Sequence, residues 1–279
     1  MNSKEKTRIG MVNFINTAPL YEVWKETVQR PDWQVIEAPP VELNRLLFDH
    51  ELDMGLVSSH EYAAHPEKYR LLNNVSISAS GPVGSVFLFS VCEPAELNDR
   101  LVILSGQSMT SVSLVKIILE EFYNVFPRYR KGRALDAHKE EQDASGVLAI
   151  GDEALLLAQS NIYPHKLDLG EIWHDRTSLP FVFAVWAVRE EFCRRQPEMV
   201  REIERHLQDC IQQGNKNLQE ISSKVAGRVS MSPDACYEYL CGIEYDFGPQ
   251  KKKSLERFIE YLIAREKTEP NAVPLKIFI

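Results

Sequence analysis

The sequence predicts an α/β protein of two α/β lobes joined by two crossing strands, and three observations predict it. Short apolar strands alternate with amphipathic helical segments from Arg8 to Ser160, the pattern of βαβ units. Two near-continuous apolar runs, SVFLFSV (85–91) and FVFAVWAV (181–188), stand before and after the second βα block, as if the chain left one lobe, built another and returned. The last ninety or so residues change to long amphipathic segments. The expected boundaries are residues 1–90 and 181–279 for a discontinuous first lobe and 91–180 for an inserted second lobe, with a ligand cleft between them.

Each element has its own signal. RIGMVNFI (8–15) reads as the first strand, broken by Asn16, Thr17 and Pro19 ahead of the helical YEVWKETV. WQVIEAP, VELNRLLFDHEL and MGLVSS follow as strand, helix and strand, the last ending in the hydroxyls of Ser58 and Ser59. The second block repeats the order with LVILSG, SMTSVSLVKIILEEFY, GVLAIG and DEALLLAQS. The polar stretch 131–145 lacks periodicity and reads as loop with room for one short strand. Segments 197–220, 233–242 and 251–265 read as helices.

The run TSLPFVFAVWAVR (177–189) is the most apolar in the chain, yet it is closed by Arg176 before it and by Arg189 and Glu190 at its end. A membrane crossing needs about 20 apolar residues, so this run is read as a strand buried on both faces, the situation of a parallel sheet. A net charge of -8 and a pI near 5.5 exclude a broad nucleic-acid surface, which takes clustered Lys and Arg. The only basic triplet, Lys251 to Lys253, sits at a helix start and reads as a solvated face. Cys92, Cys193, Cys210, Cys236 and Cys241 are odd in number and widely spread, which supports neither a disulfide framework nor a zinc site. The opening MNSKEKTRIGMVNFI has no apolar signal region, so a cytoplasmic address is expected.

Ligands of open α/β sheets bind at the carboxyl ends of strands, and three loops rich in small polar residues follow predicted strands. They are VNFINTAP with Asn16, SISASGPVGS ending at Ser85, and SGQSMTS from Ser105 to Ser111. In the third, Ser108, Thr110 and Ser111 open a helix, whose free N–H groups and positive dipole end attract an anion. One hydroxyl satisfies an N-cap; three within four residues exceed that need. GPVGS (81–85) has neither GK[ST] nor GxGxxG context, so its glycines are read as allowing positive φ and close ligand approach rather than nucleotide binding. In GDEAL, Asp152 and Glu153 fall in a first helical turn, where the dipole already favours a carboxylate. His60 and His174 are lone histidines and are read as ordinary hydrogen-bonded residues.

With those loops in view, the chain resembles the chorismate dehydratase family of the futalosine route to menaquinone. The resemblance rests on NTAPL, LDMGLVSSHEY, ISASGPVGSVFLFS, SGQSMTSVSLVK, AIGDEALL and DLGEIWHDRTSLPFVFAVWAVR, in family order from about residue 9 to residue 189. It implies a type II periplasmic-binding-protein-like fold and a hydro-lyase that converts chorismate to 3-[(1-carboxyvinyl)oxy]benzoate, with no cofactor and no metal. It implies a small-molecule substrate as the partner, and no nucleic acid or membrane. Asn16 would hydrogen-bond the departing hydroxyl and Ser85 would position the substrate, as the catalytic pair. Ser108, Thr110 and Ser111 would hold a carboxylate, Ser58 and Ser59 would line the opposite wall, and Gly84, Gly151 and Asp152 would complete the binding set. Ser178 departs from the glycine expected there, which bears on local backbone geometry. Two rival readings are a 1,4-dihydroxy-6-naphthoate synthase, whose family carries a histidine at about the place of Asp152, and a non-catalytic binder of a small organic anion. No side chain stands out as the base, which leaves the proton acceptor open between the substrate's own enolpyruvyl carboxylate and a protein group such as Asp152 or His60.

Overall fold

Strand pairing separates the chain into two mixed five-stranded sheets, seen in a computed structural model that describes residues 6–135 and 143–279. The first sheet contains β1 (Thr7–Met11), β2 (Trp33–Glu37), β3 (Met54–Ser58), β4 (Tyr69–Ala79) and β10 (Phe181–Arg189), in the spatial order β2-β1-β3-β10-β4. The second contains β5 (Val86–Ser90), β6 (Leu101–Ser105), β7 (Arg128–Gly132), β8 (Ala144–Ile150) and β9 (His165–Asp168), in the order β7-β6-β8-β5-β9.

The apolar run at 181–189 is the antiparallel neighbour of both β3 and β4, with Trp186 opposite Leu56 and Val185 opposite Val57. The parallel setting expected for it is therefore corrected. Its uniform greasiness comes from burial in the middle of a layered sheet, which does not depend on strand direction. Strands β5 and β10 stand just after the two connections between lobes, 80–85 and 178–180. β5 pairs along its whole length inside the second sheet, Val86 opposite Ile150 and Phe87 opposite Asp168, so that sheet takes in residues ahead of the predicted boundary at 90.

Helices cover both sheets: α1 (Ala18–Thr27), α2 (Pro40–Phe48), α3 (Ser59–Ala64), α4 (Met109–Ile117), α5 (Gly151–Gln159) and α6 (Leu169–Thr177) follow strands or short turns. After β10 come α7 (Glu190–Arg195), α8 (Pro197–Lys216), α9 (Leu218–Val225), α10 (Pro233–Cys241) and α11 (Pro249–Ala264). The predicted helix 197–220 is broken at Asn217, and β7 and β8 border the polar stretch, of which residues 136–142 lie outside the described ones.

β4, α3, β9 and α6 had no clear signal of their own. In β4, YRLLNNVSISA, polar residues interrupt the apolar pattern because their partners come from the C-terminal segment. The backbone N–H groups of Asn74, Ser76 and Ser78 donate to Glu204 Oε1, Tyr245 O and Glu244 O. A large core runs through both lobes, with a smaller separate cluster around Phe87, Phe89 and Ile103 in the second, and the second connection is packed by aromatic rings: Trp173 lies 5.1 Å from Phe181, which lies 5.2 Å from Phe258. Among the described residues no helix is long and apolar enough to cross a membrane.

Candidate functional site

Strand ends and helix starts from both sheets face one cleft of about 640 Å³ of empty space, mouth included. Asn16, Ser58, Ser85, Ser108, Ser111 and Gly151, all expected from the sequence, line it together with Phe14, Phe183 and a set of aliphatic side chains. No Lys, Arg, His, Asp or Glu among the described residues lines this cleft.

The wall is built from helix N-termini. Thr17, Ser108 and Gly151 stand at the starts of α1, α4 and α5, so the positive dipole ends of three helices border the cleft. Ser108 is the N-cap of α4: its Oγ accepts from the Ser111 N–H and from the Ser111 hydroxyl, both at 3.2 Å. Capping and cleft lining thus coincide in one residue. Ser58 caps α3 in the same way and is held by Asn44, whose amide donates to Ser58 Oγ at 3.0 Å and accepts from Ser58 N at 3.1 Å.

Four further sequence-predicted residues lie behind the wall, each with its polar group committed to backbone or side chain there. Ser59 donates its hydroxyl to Val182 O at 2.6 Å. Thr110 Oγ1 accepts from the His60 N–H at 2.9 Å, tying α4 to α3 across the lobes. The Gly84 N–H donates to Asp168 Oδ2 at 2.7 Å. Asp152 Oδ1 accepts from the Ile15 N–H at 3.1 Å. Burial pushes the Asp152 carboxyl above its usual range, against the Ile15 N–H and Arg228, which favour the ionised form. Burial likewise raises Asp168, which caps α6 and accepts four backbone N–H groups, those of Val83, Gly84, Gly170 and Glu171.

Asn16 is the central residue of the 3₁₀ turn Ile15–Thr17, and its main chain is pinned from two sides. The Tyr245 hydroxyl donates to Asn16 O at 2.8 Å, and the neighbouring Ile15 N–H is taken by Asp152. Its side-chain Oδ1 is buried and has no hydrogen-bond partner among the described residues. An unpaired buried acceptor costs free energy.

Ser85 is buried at the start of β5, where its carbonyl accepts from the Gly151 N–H at 2.7 Å and its Oγ accepts from the Tyr239 hydroxyl at 2.9 Å. Gly84 and Gly151 both have positive φ, +71° and +54°, and a Cβ on either would stand 3.1 Å from the Tyr239 ring or 3.2 Å from the Phe14 ring. Burial raises the phenols of Tyr239 and Tyr245 well above their ordinary range, keeping both neutral donors. Burial also lowers His60, while His174 Nδ1 lies 3.3 Å from Leu179 O at the end of α6; neither histidine lines the cleft.

The two tyrosines escaped the sequence reading, because they lie 154 and 229 residues from the positions they bond and no local pattern links them.

The sequence profile of the menaquinone biosynthesis family matches residues 7–264. The chorismate dehydratase of Thermus thermophilus is 32% identical over 273 residues, covering 91% of this chain and 94% of that protein. The chorismate dehydratase of Campylobacter jejuni is 28% identical over 180 residues, 63% of this chain and 64% of that one. Among solved structures, a structural-genomics protein of Archaeoglobus fulgidus superposes with a TM-score of 0.76 at 16% identity, covering 95% of this chain and 99% of that one. The periplasmic aliphatic sulphonate binding protein of Escherichia coli does so with a TM-score of 0.66 at 13% identity, covering 99% and 91%. These structural likenesses establish the periplasmic-binding-protein-like fold expected from the sequence.

Proposed function

The chain belongs to the menaquinone biosynthesis family, and from that membership we propose that it is a chorismate dehydratase, a carbon–oxygen lyase of the cytoplasm that forms 3-[(1-carboxyvinyl)oxy]benzoate. The observation that carries the reading is the uncharged cleft, mostly apolar but bordered by three helix N-termini, with the orphaned Asn16 Oδ1 and the Ser85 hydroxyl in its wall.

Chorismate is a dianion, and a cleft of neutral donors and helix dipoles holds carboxylates without a fixed positive charge that would oppose product release. The reaction removes the ring proton at C3 and the hydroxyl at C4. Charge from C3 spreads through the diene to the ring carboxylate, and departure of the hydroxyl leaves a benzene ring. The C3 proton goes to a carboxylate and the C4 hydroxyl leaves as hydroxide, which takes that proton back as water, so the step needs no electron acceptor. The protein's task is orientation and preorganised hydrogen bonding, each well-placed donor contributing about 3 kcal/mol in such sites.

In this reading Asn16 Oδ1 accepts from the C4 hydroxyl and fixes its direction, Ser85 positions the ring, and Ser108 and Ser111 at the α4 N-terminus bind a carboxylate. Gly151 and Ser58 complete the wall, while Ser59, Gly84, Thr110 and Asp152 hold the wall in place. The enolpyruvyl carboxylate takes the C3 proton, which suits a cleft lined by no basic side chain among the described residues.

The test is incubation of purified protein with chorismate and chromatography for the enolpyruvyl benzoate, with Asn16→Ala as control. Formation of the product by the wild type, and a loss of about a hundredfold or more in the variant, is the expected result. Turnover of cyclic de-hypoxanthine futalosine with none of chorismate overturns it.

A further inference from the structure

We propose that Tyr239, on α10 of the C-terminal segment, is a positioning residue for the reaction and acts through Ser85. The inference rests on the dehydratase reading above.

Ser85 Oγ lies 2.9 Å from the Tyr239 hydroxyl, and the serine lines the cleft. A phenol is a stronger hydrogen-bond donor than an aliphatic alcohol, so the phenol proton points at Ser85 Oγ. A serine hydroxyl has one proton and two acceptor lone pairs. With one lone pair taken by Tyr239, its own proton is directed away from the phenol and into the cleft. The chain of two hydroxyls polarises the outer one, making Ser85 a better donor to a substrate oxygen. Burial keeps Tyr239 protonated, so the pair works by hydrogen bonding, with no proton leaving the phenol.

The backbone is shaped to admit this ring. Gly84 sits at φ +71°, and a Cβ there would press on Tyr239 Cδ2 at 3.1 Å. Tyr239 therefore reaches Ser85 past a residue whose positive φ favours glycine and whose missing Cβ spares the ring a tight contact. The Tyr239 and Tyr245 contacts come from one stretch of chain and meet Ser85 and Asn16 respectively, so the C-terminal segment braces both residues assigned to the chemistry.

The experiment is a double-mutant cycle with chorismate as substrate, using wild type, Tyr239→Phe, Ser85→Ala and the double variant, with melting temperatures measured for all four. Tyr239→Phe keeps the ring and its packing. Its kcat is expected to fall about twentyfold with KM within about twofold of wild type, and the same substitution in the Ser85→Ala background is expected to change kcat by less than about twofold. Equal losses from Tyr239→Phe in both backgrounds, or a rise in KM at unchanged kcat, overturn the inference while wild-type turnover leaves the dehydratase reading standing. Absence of turnover by the wild type overturns that reading, and the inference with it.

Discussion

Asp152 Oδ1 of the inserted lobe accepts a hydrogen bond at 3.1 Å from the backbone N–H of Ile15 in the other lobe, 137 residues earlier in the chain. The same turn is gripped again by Arg228, which donates to the side-chain and main-chain oxygens of Asn13, and Phe14 lies against Gly151. The segment that carries Asn16 is thus one of the places where the lobes hold one another, beside the Thr110–His60 bond.

Asp152→Asn should retain turnover within about fivefold, because an amide oxygen still accepts from Ile15, whereas Asp152→Ala strands that N–H at a cost of about 1–3 kcal/mol. The pH dependence has a definite sign. With its pKa raised by burial, Asp152 contributes stability that is full below the model-peptide value of 3.8 and is lost as pH rises through the raised value. The melting temperature of Asp152→Asn relative to wild type should therefore climb as pH increases from about 4 to 7. A thousandfold loss of rate without weaker binding would instead make Asp152 the base.

His60 titrates in the opposite sense. Burial lowers its pKa below 6.5, so its contribution is present above that value and is lost as pH falls through the lowered one. His65 adds to the same trend, its pKa also lowered by burial. Thermal melts from pH 7 to about 5 should show declining stability, and His60→Gln should flatten the slope. An unchanged slope in the variant would remove His60 from the account.

Thr110 and Ser111 are adjacent yet face different neighbours, which separates structure from binding. Thr110→Val leaves the His60 N–H unpaired and should cost about 1–3 kcal/mol of stability with KM little changed. Ser111→Ala keeps the fold and removes a cleft hydroxyl, so KM for chorismate should rise about three- to tenfold. Calorimetry paired with steady-state kinetics distinguishes them, and a reversed pattern would relocate the carboxylate site.

Ser178 ends α6 in the left-handed conformation, φ 57°, with its N–H donating to His174 O at 2.7 Å. Glycine takes that conformation without the Cβ clash, so Ser178→Gly should stabilise the protein by about 0.5–1 kcal/mol, or roughly 1–3 °C. A lower melting temperature would mean that the serine side chain contributes something beyond its backbone.

The elements legible in the sequence are those whose burial repeats over a few residues. β1, α1, β2, α2, β3, β6, α4, β8 and α5 each carry their own periodicity, and the Ser108 cap is visible because a cap is a local device. What distant chain segments complete was not legible. β4 reads as loop because Glu204, Glu244 and Tyr245 supply its partners, and the direction of β10 is invisible in a run apolar on both faces. Within the cleft, strand-end loops announced Asn16, Ser85 and Ser108 by their small polar composition. Tyr239 and Tyr245 look like any tyrosines on the C-terminal segment until the chain is folded.

The place of β10 between β3 and β4 has a consequence for biosynthesis. As the polypeptide emerges from the ribosome, β4 finds no neighbour in its sheet until residues 181–189 have been made. The nascent first lobe must wait with an open seam while the inserted lobe, whose strands all lie between residues 86 and 168, is free to fold. The slow step of maturation should be the late threading of that one strand, and a chain released before it would expose a sheet edge that invites aggregation.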